Sequence, residues 1–158
     1  MFGLFKSKKQ MLVSPVDGDI VKLEDVPDEV FSAKLVGDGI AIMPHSNTFV
    51  APVAGVITKI FSTNHAFSIR ISNGLEVMVH IGLDTVELNG EGFKALVKEG
   101  DKVSVGKPII SADLAFIESK GKPTITPIVV NHKKEVIVSS DKVGNIQEGE
   151  ELMQVTIS

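Results

Sequence analysis

Apolar residues in this chain fall in short runs rich in Val and Ile, punctuated by Gly, Asp, Pro and Asn, and helical spacing is nearly absent. The runs cover 19–23, 39–43, 55–61, 67–72, 75–81, 109–112, 126–130 and 152–157. Strands this short, at this spacing, predict an all-β antiparallel fold that closes as a sandwich or barrel-like structure. Helix is confined to scraps. Segments 92–98 and 114–120 each have room for one or two turns, the second opening after Asp113 as its N-cap.

A repeat supports the all-β reading. The string P-V-D-G-D-I-V-K-L from Pro15 recurs as P-V-A-G-V-I-T-K-I from Pro52, so turn and strand are repeated together. The segments V-K-E-G-D-K-V-S-V-G-K-P-I-I from Val97 and K-V-G-N-I-Q-E-G-E-E-L from Lys142 share the same strand–Gly-turn–strand grammar. Repeated Gly turns suit a sandwich whose halves fold over each other with closed edges.

The sharpest local signal is Asn73-Gly74 between two alternating apolar runs, which predicts a β-hairpin with a two-residue turn. Ser72 then faces Leu75, Phe67 lies opposite His80, and His65 lies opposite Gly82. On that register the two histidines are diagonal neighbours on one face, about 7–8 Å apart at the backbone and within reach of each other through their rings. A loop one residue longer would place them on opposite faces.

Composition narrows the chemistry. The chain has 158 residues and no cysteine, which excludes disulfides, a thiol nucleophile and thiolate metal sites. A net charge of −4, with eight Phe and no Trp or Tyr, argues against nucleic acid as a partner. The N-terminal apolar stretch is too short for a secretory signal or a membrane span, so a cytoplasmic location is expected. Residues 1–10 are expected to be a flexible tail, whose Phe2, Leu4 and Phe5 beside Lys6, Lys8 and Lys9 allow at most a weak membrane-surface contact.

The strings around both histidines, T-N-H-A-F-S-I from Thr63 and V-H-I-G-L-D-T-V-E-L-N-G-E-G-F from Val79, resemble the enzyme IIA component of the glucose family of the bacterial sugar phosphotransferase system. Supporting strings are P-V-D-G at Pro15, V-F-S-A-K-L-V-G-D-G-I-A-I from Val30, A-P-V-A-G from Ala51 and I-T-P at Ile125. The resemblance spans 11–157, and residues 11–158 are expected to form one IIA-type β-sandwich domain. It implies that His80 carries a phosphoryl group on Nε2, taken from the phosphohistidine carrier protein and passed to a cysteine of a sugar-permease IIB domain. It further implies that His65 is the supporting histidine, that the Gly82 carbonyl accepts from His80 Nδ1, that the Thr63 hydroxyl contacts His65, and that Asp84 beside the site meets the basic carrier. No cofactor is required, although adventitious zinc at His65 and His80 remains open.

The chemistry agrees with those roles. Histidine attacks phosphorus through a neutral ring whose proton is held on the other nitrogen, and a second imidazole can donate to the phosphoryl oxygens. A phosphocarrier also needs a docking surface, for which Phe31, Leu35, Val36, Phe61, Met78 and Val86 are candidates as an exposed apolar patch. Phosphorylation would add about −1.5 to −2 charge to that face, which suits regulated binding to transporters or enzymes. His45 and His132 read as surface residues, Glu87 and Glu91 as solvated, and Asp84 equally as a turn residue. Two other functions stay open. One is a zinc-dependent hydrolase using His65, His80 and Asp84 with water in the open position, although the H-x-H string of β-sandwich zinc peptidases is absent. The other is a non-catalytic interaction module like biotinyl and lipoyl domains, whose lysine strings are also absent.

Overall fold

The computed structural model describes residues 8–158. Its strands are β1 (Lys8–Val13), β2 (Gly18–Lys22), β3 (Asp38–Pro44), β4 (Thr48–Val50), β5 (Gly55–Ile60), β6 (Ala66–Arg70), β7 (Glu76–His80), β8 (Phe93–Ala95), β9 (Lys102–Val103), β10 (Pro108–Ala112), β11 (Thr126–Asn131), β12 (Val136–Ser139), β13 (Asn145–Ile146) and β14 (Glu151–Ile157). Two short helices, α1 (Glu29–Ser32) and α2 (Leu114–Ser119), complete the regular structure of the described residues with two 3-10 turns. The eight-stranded sheet runs β13-β2-β3-β11-β7-β6-β5-β9, and three-stranded sheets β1-β14-β12 and β4-β10-β8 lie beside it. Every pairing is antiparallel, and the architecture is an antiparallel β-sandwich.

The repeated P-V-x-G strings open β2 and β5, and a close approach of backbones explains the glycine in each. A Cβ on Gly18 would stand 2.2 Å from the Met43 carbonyl oxygen, and one on Gly55 would stand 2.5 Å from that of Arg70. In β7 the alternation is plain: Val77 and Val79 are fully buried in the main core, with Ile42, Phe49, Phe67, Ile69, Ile110 and Ile128 among their cluster. Glu76, Met78 and His80 point to the other face of the sheet. There the segment from Leu23 to Phe31 lays Leu23, Val26 and Phe31 over Ala41 and Val129, making a second, smaller apolar cluster.

Four expectations are corrected. Segment 92–98 is not helical: Gly92 has φ 87°, and Phe93–Ala95 pairs with β10, burying Phe93 while Lys94 stays exposed. Tertiary pairing overrides its local helix formers. Helix α2 does form where expected, with Asp113 accepting from the Phe116 N–H at 3.1 Å, but α1 was not foreseen. The β6–β7 turn is one residue longer than the Asn-Gly signal implied. Ile71 N–H donates to the Leu75 carbonyl, Ala66 rather than Phe67 pairs with His80, and of the Asn-Gly pair only Gly74 has positive φ. A three-residue loop closed by a left-handed glycine is the alternative to the two-residue turn. Pairing with β14 already begins at Lys8, inside the expected tail. Phe2, Leu4, Phe5 and Lys6 lie outside the described residues.

Candidate functional site

His80 ends β7 on the face that carries the small apolar cluster, opposite Ala66. His65 lies just before β6, after Asn64 in the left-handed region (φ 58°), and its carbonyl accepts from the Ile81 N–H at 2.8 Å. Strand alternation does not govern a residue in this corner. The longer loop therefore did not separate the histidines: their ring centroids are 4.9 Å apart, nearly edge to face at 79°. The expected convergence is observed, by a route different from the diagonal pairing.

The His80 ring is oriented by main chain. Its Nδ1–H donates to the Gly82 carbonyl at 2.7 Å, which leaves Nε2 of the neutral ring with its lone pair free. The carbonyl is itself held in place. Gly82 has φ 79°, and a Cβ there would stand 2.6 Å from Thr85 Cγ2 and 2.7 Å from the Pro123 carbonyl oxygen. Leu83 N–H donates to that same Pro123 oxygen, and the buried Thr85 hydroxyl donates to the Ile81 carbonyl at 2.6 Å. Thr63 Oγ1 and His65 Nδ1 share a hydrogen bond of 2.5 Å, directing His65 Nε2 outward from that partner.

Burial sets the charge state of both rings. His65, 4% exposed, is lowered from 6.5 to about 4, first by desolvation and then by the neighbouring His80. His80 is also lowered, chiefly by desolvation, against the opposing pull of the Gly82 hydrogen bond, Asp28 and Asp84. Both imidazoles are thus neutral at neutral pH, the state a nitrogen nucleophile requires.

Aromatic rings wall the pair: Phe31 lies 5.0 Å from His80 and Phe61 5.3 Å from His65, with the Lys59 ammonium 4.8 Å over Phe61. The candidate docking residues do not form one exposed patch. Leu35 and Val86 are 69% and 50% exposed, but Phe31 is buried at 5%, and Val36, Phe61 and Met78 are half-buried, with Val36 and Met78 packed on the small cluster. The segment from Leu23 to Phe31 covers that sheet face, and its Phe31 packs against the His80 ring. Asp84 is exposed at φ 57°, entering the 3-10 turn Thr85–Leu88. Glu91 is solvated as expected, whereas exposed Glu87 pairs with Lys122 at 2.6 Å. His45 is exposed beside Asp19, but His132 is half-buried and tied to the Asn73 carbonyl and the Lys134 N–H.

The sequence reading missed Asp28, whose carboxylate caps α1 through the Val30 N–H and faces His80 electrostatically. Its signal was the Asp followed by Glu29 and an apolar residue, a helix-start pattern. The Pro123 carbonyl, being main chain, had no side-chain signal. Among the described residues no three His, Cys, Asp or Glu side chains gather as a metal-ligand group, so Asp84 does not complete a three-ligand set with the imidazoles.

Residues 10–136 match the family described as phosphoenolpyruvate-dependent sugar phosphotransferase system, EIIA 1. The chain belongs to this family. Among EIIA relatives, the glucose-specific EIIA component of Haemophilus influenzae is 49% identical over 148 residues, covering 94% of this chain and 89% of that one. The N-acetylglucosamine-specific EIICBA component of Klebsiella pneumoniae is 50% identical over 138 residues, 85% of this chain but 21% of that longer protein. The solved glucose permease IIA from Mycoplasma capricolum superposes with a TM-score of 0.88 at 37% identity, over 93% of this chain and 96% of that one. This EIIA chain is a phosphotransferase-system component, and none of its helices among the described residues is long and apolar enough to cross a membrane.

Proposed function

We propose that His80 is the phosphoryl acceptor of a cytoplasmic phosphocarrier, receiving the group from the phosphohistidine carrier protein and donating it to a cysteine of a sugar-permease IIB domain. The observation that carries this is the Nδ1–H···O=C bond from His80 to Gly82, which presents Nε2 as the one unprotonated nitrogen of a neutral ring. In the first step the Nε2–P bond forms as the donor's N–P bond breaks, and the His80 ring becomes cationic with its Nδ1 proton retained. The Gly82 carbonyl, Asp28 and Asp84 all favour that cation. In the second step a cysteine thiolate forms S–P as Nε2–P breaks, and the ring returns to neutral.

His65 is the supporting group. With the Thr63 hydroxyl donating to its Nδ1, its proton sits on Nε2, where it can donate to a phosphoryl oxygen on His80 across the 4.9 Å ring separation. Transfer through a loose transition state draws mainly on such positioning and charge stabilisation. The reaction as written requires no cofactor, and zinc bound adventitiously through the two Nε2 atoms would compete with transfer. The permease partner is supported by membership of the family and by relatives named as EIICBA components. Binding of transporters or enzymes that senses the phosphorylation state of His80 fits the added charge of about −1.5 to −2.

Incubation with labelled phosphoenolpyruvate, its phosphorylating enzyme and the carrier tests the proposal. One acid-labile, base-stable phosphoryl group per chain is expected, lost in His80→Ala. Stoichiometric labelling of His80→Ala would overturn it.

A further inference from the structure

Along the face that carries His80, the side chain at the far end of β7 is Glu76, and its carboxylate is fully engaged inside the chain. Arg70, directly opposite in the β6–β7 ladder, reaches Oε1 through Nε at 3.3 Å and Nη2 at 3.1 Å. The Thr58 hydroxyl donates to Oε2 at 2.8 Å. The pair is open to solvent, with 57% and 33% of the two side chains exposed. Beside it a groove of about 400 Å³, lined by Val36, Ser68, Glu76, Met78 and Asn131, connects Glu76 to the half-buried Met78.

Four residues of strand place Glu76 about 13 Å from His80 along β7, beyond the reach of its charge through salt solution to the ring itself. It is within reach of any protein that covers His80. A standard interface buries about 800 Å² per partner, a disc of roughly 16 Å radius, so a footprint centred on His80 takes in Glu76. Among the described residues Asp28 and Asp84, the carboxylates that face His80, make no ion pair, whereas Glu76 pairs with Arg70 as Glu87 does with Lys122.

We infer that Arg70 is a specificity-determining residue of the docking face, withholding the Glu76 carboxylate from cationic side chains of a partner. This rests on the proposed role of His80 as a phosphoryl acceptor that docks a basic carrier. A partner cation that approaches Glu76 meets a neutral pair and must displace Arg70, whereas a partner presenting a carboxylate there gains Arg70 by taking it from Glu76. The face thereby discriminates between basic and less basic partners at one point, apart from the acidic groups around His80.

The test is calorimetric titration of the phosphohistidine carrier protein into wild type, Arg70→Gln, Glu76→Gln, the double variant and Arg70→Lys, at low and high salt, with thermal melts as a folding control. Arg70→Gln should tighten binding about two- to fivefold, the size of an exposed charge–charge contact, and the gain should shrink in salt. Glu76→Gln should weaken binding by leaving an uncompensated Arg70, while the double variant and Arg70→Lys return to wild type. Unchanged or weaker binding by Arg70→Gln, or a gain that survives Glu76→Gln, overturns the inference. If wild type is not labelled at His80 by the carrier, the docking reading falls and the inference with it. Labelling with equal affinities across the set overturns the inference alone.

Discussion

Gly82 is the position at which stability and chemistry are coupled most tightly, and Gly82→Ala separates a structural glycine from a functional one. A non-glycine residue at φ 79° loses about 1–2 kcal/mol to backbone strain. The added Cβ would stand 2.6 Å from Thr85 Cγ2 and 2.7 Å from the Pro123 carbonyl oxygen. Relieving that overlap costs about 1–3 kcal/mol more. The sum, about 2–5 kcal/mol, lowers the melting temperature by roughly 4–20 °C for a chain of this size. The loop gives way by moving the carbonyl that accepts the His80 Nδ1–H at 2.7 Å. Loss of that bond lets the proton settle on Nε2, the attacking atom, and a misplaced nucleophile costs on the order of 100-fold in rate. Urea melts and the initial rate of phosphoenolpyruvate-dependent labelling, measured well below the variant's melting temperature, read the two effects. Adding Thr85→Ser removes the Cγ2 contact while keeping the hydroxyl, and should restore part of the stability. A Gly82→Ala protein that melts and labels like wild type would refute the reasoning, because the close contacts and the tautomer lock would then both be illusory.

His65→Gln should still accept the phosphoryl group but deliver it slowly to a IIB domain, since an amide holds the geometry without an imidazole's adjustment of charge; equal onward rates would remove His65 from the step. Between the ordinary histidine value of 6.5 and about 4, the unfolded chain binds a proton at His65 that the folded chain refuses. Stability should therefore fall as pH drops through that window, and a urea midpoint that rises there would contradict it. The initial labelling rate should fall to half only below pH 6.5, because His80 is also lowered; a midpoint above that value would mean a stabilised imidazolium. Phe31→Ala should cost about 3–5 kcal/mol in a urea melt because the ring is core. Val86→Lys, at an exposed position, should leave the melt unchanged while raising the carrier's KM; the reverse pattern would exchange their roles.

Much of this site was legible because its reactive groups are side chains with unusual neighbours. His80 and His65 stand beside turn residues in strings specific enough to carry a family, and the alternation of Val77, Met78, Val79 and His80 assigns each to a face. Thr63 and Gly82 followed from the same strings, and both make the expected contacts. What escaped was decided by main chain or by tertiary covering. Asn73-Gly74 permits either a two-residue or a three-residue loop, and the competition is settled by whether Asn73 adopts positive φ, which local sequence leaves free. Phe31 reads the same as a surface anchor or as a core ring until the segment from Leu23 to Phe31 is seen to fold over the sheet. Segment 92–98 holds helix formers, yet pairing with β10 outweighs them.

The central claim concerns one atom, and nitrogen–phosphorus coupling reads it directly. In protein carrying ¹⁵N-labelled histidine and phosphorylated through the carrier, phosphorus should couple to Nε2 of His80 while Nδ1 of the same ring keeps its proton in the bond to Gly82. Phosphorus coupled to Nδ1 of His80, or to either nitrogen of His65, would contradict the assignment.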